Sequence, residues 1–187
     1  LVIDFQSDVA EGKLNSSWKF NSFEEYISLY IDKELINKSL IYKSNKDIIM
    51  IVPDNESSNV GFVNGAICSE GTHIKKIEKQ ICDKILSLCK KDDMELITEK
   101  DIIARMCVFV NCTISNPKYD SQAKNRLTSK LDRFQLNFDD KFLSKLKDSE
   151  LYESIKAFYN IKYAEQKKKE TRKLNATIKN TRSKKII

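Results

Sequence analysis

The chain of 187 residues contains a single histidine, His73. Catalytic relays of the serine-hydrolase type use histidine as the proton carrier, and most zinc sites use it as a ligand. With one histidine, the chain can hardly form either a histidine relay or a His-rich zinc site. The sequence therefore argues against a histidine-dependent hydrolase and against a His-rich metal site.

Cysteine is present, but its spacing matches neither a disulfide framework nor a zinc motif. An odd number of cysteines without a C-x-x-C pair is unusual for a secreted scaffold. Two of them fall on a helical pattern and two on a strand pattern. We therefore expect small buried apolar groups in a reducing cytosol. The five are Cys68, Cys82, Cys89, Cys107 and Cys112.

Long apolar runs are also missing, since no stretch approaches the roughly 20 residues of a membrane-spanning helix. Residues 1–6 turn acidic and polar at once, which predicts no secretory signal. The first residue is Leu1 rather than Met, so we expect a piece of a longer protein. The length and the hydrophobic content of 41% predict one soluble globular domain, or one domain with an extension.

The positive charge is concentrated at one end of the chain. Residues 167–185 carry nine Lys or Arg and one Glu, a net charge of +8, whereas the whole chain carries +6. The remainder is therefore slightly acidic, at −2. A basic tail on an acidic body predicts an interaction through the tail, or simply a solvated extension.

The first third of the chain predicts short strands and one amphipathic helix. Strands are expected at residues 1–5 and 18–20, around a loop at 7–17. Ser22 and Glu25 have the spacing of a helix capping box. The predicted helix places these side chains on one face: Phe23, Tyr26, Ile27, Tyr30 and Ile31.

Further strands are predicted beyond that helix. Residues 39–43 and 47–52 are predicted to form a hairpin around a turn at 44–46, and a polar loop is predicted at 54–59. A third strand is predicted at 60–68, where Gly61 and Gly65 indicate a bulge or a close approach of another backbone.

The strongest helical pattern begins at Thr72, the predicted N-cap. Its apolar stripe consists of Ile74, Ile77, Ile81, Ile85 and Leu88. Thr98 and Asp101 predict a capped short helix that leads into an apolar strand at 106–114.

Two helices are predicted at the C-terminal end, at residues 138–146 and from residue 149 onward. The apolar stripe of the second helix stops at Tyr163, so we expect a basic helix that projects beyond the core. Together, these elements predict an α+β fold, a mixed β-sheet covered by helices with a long C-terminal helical extension.

The loop at residues 115–130 contains the best candidates for a binding site. It follows a buried strand and is rich in turn formers. Lys118, Lys124 and Arg126 are either solvated loop cations or groups positioned for an anion, since a Lys ammonium suits a terminal phosphate. The residues alone do not decide between these two interpretations.

Several strings in this sequence resemble motifs of the type IIA DNA topoisomerases. Residues 60–67 (VGFVNGAI) and 70–74 (EGTHI) are similar to the family's "FVN" and "GGTH" strings. Residues 107–111 (CVFVN) and 116–124 (NPKYDSQAK) are similar to "VFVN" and "NPxFDSQTK". Residues 125–129 and the helix start at 22–26 also resemble the family, so the likeness covers essentially the whole chain. The loop is more similar to those of eukaryotic topoisomerase II and the T-even phage large subunit than to that of bacterial gyrase.

The resemblance implies a transducer segment, which links an N-terminal GHKL-type ATPase domain to the DNA-cleaving core of an ATP-hydrolysing isomerase. Residues 1–147 would form the transducer domain, and residues 148–187 the helix and basic tail leading towards that core. In the family, the Lys of the loop reaches the γ-phosphate of ATP, and the Gln assists it. Carried over, these nucleotide-binding residues are Lys124 and Gln122.

The resemblance also implies partners and cofactors. ATP and Mg²⁺ would be bound mainly outside this chain. The partners would be DNA, the GHKL ATPase domain, the cleavage core and a second copy of the enzyme in a homodimer, with no membrane. The compartment would be cytoplasmic, including the host cytoplasm for a phage, or nuclear for a eukaryote.

Two positions differ from the family's motifs, and a third, His73, agrees with them. Ala123 replaces the family's Thr, a change that removes a hydroxyl hydrogen bond of about 0.5–1.5 kcal/mol. Glu70 replaces the first Gly of "GGTH", which would strain the backbone if that position needs a positive φ. His73 occupies the family's His position, and its helix-start location favours a structural role over a functional one.

Motifs for catalysis are missing from the sequence. It has no Gly-rich phosphate cradle, no E-G-D-S or D-x-D cluster for Mg²⁺ and no context for a strand-cleaving Tyr. We therefore expect no catalytic residue in this chain and no activity from this fragment alone.

The basic tail supports a second hypothesis, in which it binds the DNA backbone by counterion release. The candidate DNA-binding residues are Lys167, Lys168, Lys169, Arg172 and Lys173. A solvated extension is an equal alternative. The rival function is a free-standing basic nucleic-acid-binding module, and a transducer of another GHKL protein is a third possibility.

Overall fold

The computed structural model describes residues 2–7, 14–44, 46–54, 58–131 and 138–183, with side chains between residues 20 and 176. The strands are β1 (Val2–Ser7), β2 (Leu14–Lys19), β3 (Leu40–Lys43), β4 (Ile48–Val52), β5 (Val60–Val63), β6 (Ala66–Ile67), β7 (Glu70–Gly71), β8 (Cys107–Cys112) and β9 (Arg126–Leu127). The helices are α1 (Phe23–Ile27), α2 (Lys33–Asn37), α3 (Thr72–Lys91), α4 (Glu99–Ile103), α5 (Asp140–Lys147) and α6 (Glu150–Ser183). Parts of the predicted loops, residues 8–13, 45 and 55–57, and the chain ends lie outside the described residues.

A five-stranded mixed sheet in the order β3-β4-β8-β5-β6 forms the centre of the fold. Neighbouring strands are antiparallel, except that β5 and β8 run parallel. The strand β4 is entirely apolar and β8 is apolar except at Asn111, as is typical of strands covered on both faces. Both are buried over almost their whole length.

Alternating residues of these strands enter two separate cores. Ile49, Val108 and Val110 pack with α3, α5 and the start of α6 on one face. Met50 and Phe109 pack against α1 and its flanking residues on the other face. Helices therefore cover both faces of a mixed sheet, which confirms the predicted α+β fold. None of the helices in the described ranges is long and apolar enough to cross a membrane.

The two N-terminal strands are longer than predicted and pair with each other. β1 and β2 pair antiparallel, with Val2 opposite Lys19 and Ser7 opposite Leu14. The loop predicted at residues 7–17 was therefore wrong at Ser7, which ends β1, and at 14–17, where β2 begins. Residues 15–17 are Asn and Ser, which have low strand propensity, so pairing with β1 rather than local preference makes this strand.

The first predicted helix was too long. It was expected to run through Ile31, but α1 ends at Ile27 and the unpredicted α2 follows. The Ser22 Oγ accepts a hydrogen bond from the Glu25 backbone N–H at 3.0 Å, as the capping box requires. The Glu25 carboxylate accepts from the N–H of Asn21 instead of Ser22. Ser28 Oγ donates to the Glu25 carbonyl at 2.6 Å and competes with the backbone where the helix stops.

The apolar stretch at residues 60–68 was predicted as one strand but forms two. Asn64 and Gly65 have φ values of +53° and +80° and turn the chain back, so β6 pairs antiparallel with β5. Asn-Gly is a common sequence for such two-residue turns. The close approach expected at Gly61 is confirmed, because a Cβ there would lie 2.3 Å from the Cys68 carbonyl oxygen.

Helix α3 confirms the strongest helical pattern, and its isoleucine stripe is buried. Thr72 was predicted as the N-cap, which is wrong. The N-cap is Gly71, with a φ of +123°, and Thr72 is the first helical residue. The capping box of α4 is confirmed, since Thr98 and Asp101 exchange both of its hydrogen bonds.

The two C-terminal helices are confirmed as α5 and α6. The first turns of α6 bury Leu151, Tyr152 and Ile155 in the larger core. Every described side chain from residue 163 to residue 176 is exposed, and the helix continues to Ser183. The basic segment is therefore a helix beyond the core. All five cysteines are buried and unpaired, as predicted.

Candidate functional site

The loop after β8 folds back on itself as a finger, which we define as residues 117–129. Its two limbs are joined by hydrogen bonds from the Thr128 N–H to the Lys118 carbonyl at 2.8 Å and from the Asp120 N–H to the Arg126 carbonyl at 3.2 Å. Tyr119 and Leu127 form an antiparallel bridge between the same limbs. The pairing fixes the limbs and leaves residues 121–125 as the tip.

The tip presents Gln122, Ala123 and Lys124, all of which are exposed. The Lys124 N–H donates to the Ser121 carbonyl at 3.2 Å and closes a tight turn. Within the part of the chain that the structure describes, the side chains of Gln122 and Lys124 make no hydrogen bond and no ion pair. The predicted nucleotide-binding pair thus lies together on one tip, available to a group outside this chain.

The backbone at Lys124 has a φ of +58°, in the left-handed region that favours glycine. This conformation costs a non-glycine residue about 1–2 kcal/mol. Asn116, at the entrance to the finger, has a φ of +50°, but Asn tolerates this region well. Backbone strain of this kind clusters at functional sites.

The base of the finger is pressed against the start of α3. β9 pairs in parallel with β7, so Glu70 lies opposite Arg126 and Gly71 opposite Leu127. A Cβ at Gly71 would lie 2.2 Å from the Leu127 carbonyl oxygen. Only glycine fits here, both for its φ of +123° and for this contact. Glu70 itself has no positive φ, so its replacement of glycine brings no backbone strain.

Side chains of α3 also bind the base of the finger and the chain just beyond it. Thr72 Oγ1 donates to the Ser129 carbonyl at 2.7 Å. One turn later, the Lys76 ammonium donates to the Leu131 carbonyl. The two motifs at residues 70–74 and 116–124 therefore lie next to each other, and the first supports the second.

His73 points the other way, into the body of the protein. Its ring is completely buried, and Nε2 lies 2.9 Å from the Cys68 carbonyl oxygen. Because a carbonyl only accepts, Nε2 carries the proton and Nδ1 has no partner among the described residues. Burial lowers the pKa of His73, although its bond to Cys68 opposes the shift. This geometry supports the structural role favoured for His73.

The sequence reasoning missed Asn64 as part of the site. Its side-chain amide donates to the Ile114 carbonyl and accepts from the Ile114 N–H, both at 2.8 Å. It thereby joins the β5–β6 turn to the chain that enters the finger. The "FVN" string contained this residue, but a role for its side chain depends on a contact 50 residues away.

A second missed feature is the attachment of α6 to the far end of α3. The Tyr152 hydroxyl donates to the Asp92 carboxylate at 2.9 Å, and the Tyr159 hydroxyl donates to the Asp93 carbonyl at 3.1 Å. The Lys162 ammonium lies 2.7 Å from an Asp101 carboxylate oxygen and lowers the pKa of that acid, against the opposing effect of burial. α6 is thus fastened to the body until residue 162.

The candidate DNA-binding residues lie beyond this attachment. The five cationic side chains are all exposed on α6, and the Lys167 ammonium lies 4.7 Å from the ring centre of Tyr163. The attachment of α6 lies just beyond the last turn of α3, whereas the base of the finger contacts the first residues of that helix.

No group of three or more His, Cys, Asp or Glu side chains within the described ranges could hold a metal ion. The thiols are not reactive groups either, because burial raises the pKa of Cys82, Cys107 and Cys112 to about 12.

Comparison with known proteins connects this geometry to a family. The sequence profile of DNA gyrase B matches residues 12–175. The chain is 27% identical over 173 residues to a DNA topoisomerase 2 from Bombyx mori, covering 86% of this chain and 11% of the relative. It therefore spans about a tenth of that protein.

Two solved structures have a similar fold. The ATPase region of Saccharomyces cerevisiae topoisomerase II matches with a TM-score of 0.64 and 28% identity, over 80% of this chain and 38% of the other. The ATPase and transducer domains of DNA topoisomerase II from Balamuthia mandrillaris match with a TM-score of 0.68 and 24% identity, over 76% of this chain and 38% of the other. At that identity, the second match supports the fold alone.

We predict that the lone histidine makes the stability of this protein fall at mildly acidic pH. The pKa of His73 is lowered in the folded state, so the unfolded chain takes up the proton first as the pH falls through about 6.5. The stabilisation is present above that pH and is lost below it, by at most about 1.4 kcal/mol per pH unit. Urea unfolding between pH 7.5 and 5.5 should show a steeper loss for the unaltered chain than for His73→Gln. Parallel pH dependences in the two proteins would contradict the prediction.

Proposed function

Since the chain belongs to the DNA gyrase B family and corresponds to the ATPase and transducer region of type II topoisomerases, we propose that it is the transducer of an ATP-dependent type IIA enzyme. In this proposal, it couples ATP binding and hydrolysis to the passage of one DNA duplex through another. The observation that carries the proposal is the tip of the finger, where Gln122 and Lys124 are exposed and, among the described residues, have no side-chain partner.

We propose that Lys124 contacts the γ-phosphate of ATP bound in the neighbouring GHKL ATPase domain, and that Gln122 assists. The residues fit this task, because an ammonium and an amide N–H are both donors to phosphate oxygens. ATP and Mg²⁺ would be held mainly by that neighbouring domain. There the triphosphate supplies the charge that changes on hydrolysis, and this chain supplies the group that detects it.

The magnitude of the contact limits what Lys124 does alone. One charge-assisted hydrogen bond contributes about 1.5–3 kcal/mol. Moving a two-state equilibrium from 1:99 to 99:1 takes about 5.5 kcal/mol. A homodimer with one such contact in each protomer, together with dimerisation of the ATPase domains, supplies enough. Lys124 is therefore a sensor whose signal is added to that of its partner subunit.

Helix α3 offers a route from the sensor to the cleavage core. Its first turn holds the base of the finger, and Asp92 and Asp93 beyond its last turn bind the two tyrosines of α6. A rigid helix transmits a movement of one end to the other without bending. We propose that residues 1–147 rotate as one body about the finger, and that residues 148–187 transmit this rotation towards the cleavage core.

The exposed basic part of α6 is proposed to contact DNA. Its five cations, at 167–169, 172 and 173, suit the phosphate backbone and carry no means of reading bases. An enzyme with this substrate works where DNA is found, in the cytoplasm or in a nucleus. The alternative of a free-standing basic module predicts DNA binding without any dependence on nucleotide, and membership of this family favours the transducer.

Lys124→Ala in the full-length enzyme should slow ATP-dependent relaxation of supercoiled DNA by roughly 10- to 150-fold, because one ammonium–phosphate bond is lost. The assay is gel-resolved relaxation at saturating ATP. Lys100→Ala, which removes an exposed lysine of α4, is the matched control and should relax DNA at the normal rate. Normal relaxation by Lys124→Ala would exclude Lys124 as the phosphate sensor.

Replacing the five α6 cations with Gln should weaken nonspecific duplex binding by the full-length enzyme and make it less dependent on salt. Each lost phosphate contact reduces the slope of log K against log salt by about 0.9. The control replaces the same number of exposed lysines on the body, which keeps the net charge equal: Lys33, Lys46, Lys75, Lys84 and Lys100. The two variants should differ in slope. Equal slopes would mean that the tail acts only through net charge.

A further inference from the structure

A chain of hydrogen bonds leads from the first residue of α3 into the finger. Thr72 Oγ1 donates to the Ser129 carbonyl at 2.7 Å, and the Ser129 hydroxyl accepts from the Lys118 N–H at 2.6 Å. The Lys118 carbonyl then accepts from the Thr128 N–H at 2.8 Å and from its hydroxyl at 3.1 Å. Both limbs of the finger are therefore connected to one hydroxyl on the helix.

The Thr72 hydroxyl does not serve its own helix. A Thr at an N-cap accepts from backbone N–H groups and contributes about 1 kcal/mol to the helix. Here the N-cap is Gly71, which has no side chain to cap with. Thr72 lies one residue further on, and its hydroxyl donates away from the helix to the finger. A contact across 57 residues thus takes the place of a local one.

The neighbouring contacts do not duplicate this one. Gly71 lets the backbone of Leu127 approach closely, which sets how near β9 lies to α3. Lys76 reaches the Leu131 carbonyl, beyond the end of the finger. Between them, the Thr72 hydroxyl is the side-chain donor from α3 that reaches the finger itself within the described residues. Ser129, its acceptor, lies in the limb that leads directly back to the tip.

We infer that Thr72 is a positioning residue for Lys124, which fixes the direction of the finger through Ser129 so that the lysine meets the terminal phosphate. The inference rests on the proposed role of Lys124 as the sensor. Thr72 touches neither nucleotide nor DNA in this account. It acts by holding the limbs while the strained tip, at a φ of +58°, is kept ready for its ligand.

The test uses the full-length enzyme and a double-mutant cycle of ATP hydrolysis. Thr72→Val removes the hydroxyl and keeps the branched shape, and it should lower kcat/KM for ATP by about 2- to 10-fold, the effect of one hydrogen bond. Thr72→Ser retains the donor and should recover most of the loss. In a Lys124→Ala background, Thr72→Val should have little further effect, because it acts through the missing lysine.

Two further variants control for loss of stability and for nonspecific effects of the substitution. Ser129→Ala breaks the same chain at the next hydroxyl and should produce a loss of similar size, even if Thr72→Val is too unstable to assay. Thr113→Val makes the same chemical change at an exposed threonine outside the finger and should leave kcat/KM unchanged. Thermal unfolding of each variant separates a shift in stability from a shift in kinetics.

The outcomes separate this inference from the proposed function. A slow Lys124→Ala enzyme with normal kinetics in both Thr72→Val and Ser129→Ala would overturn the positioning role alone. An equal effect of Thr72→Val with and without Lys124 would overturn it too, since the two residues would act independently. Normal hydrolysis and strand passage by Lys124→Ala would overturn the sensor and the positioning role together.

Discussion

The close approach of Gly71 to Leu127 is the contact on which the rest of the site depends. A Cβ at Gly71 would overlap the Leu127 backbone, so the pairing of β7 with β9 requires a glycine. This pairing places the start of α3 beneath the finger and brings Thr72 within reach of Ser129. Two motifs more than 40 residues apart thereby become one site, in which the first supports the second and the tip remains exposed.

Helix α3 also connects this site to α6. α3 is buried along its isoleucine stripe against the central sheet, so it is held as a rigid element between the finger and α6. At the far end of α3, the Tyr152 and Tyr159 hydroxyls of α6 donate to the Asp92 carboxylate and to the Asp93 carbonyl. The proposed coupling between the finger and α6 therefore needs no flexible linker. In the proposed function, the finger recognises the nucleotide, and α3 supports the finger and transmits its movement to α6.

Local patterns predicted the α+β class, the isoleucine helix, the β3–β4 hairpin and the buried cysteines, because burial and periodicity are properties of short segments. They misplaced β2, whose residues 15–17 become a strand only through pairing, and made Thr72 a cap although its hydroxyl bonds to Ser129. The candidate pair Gln122 and Lys124 came from a family resemblance. Their exposure was not predictable from composition, and neither was the role of Asn64, because both depend on contacts between distant segments.

The central claim is that the tip of the finger binds the terminal phosphate of ATP. Hydrogen–deuterium exchange on the full-length enzyme tests it directly, by comparing the amides of residues 121–125 without nucleotide, with ADP and with a non-hydrolysable ATP analogue. The amides of β4, in the sheet core, serve as an internal reference. The account predicts slower exchange at the tip with the ATP analogue and not with ADP. The same exchange at the tip in all three states would contradict it.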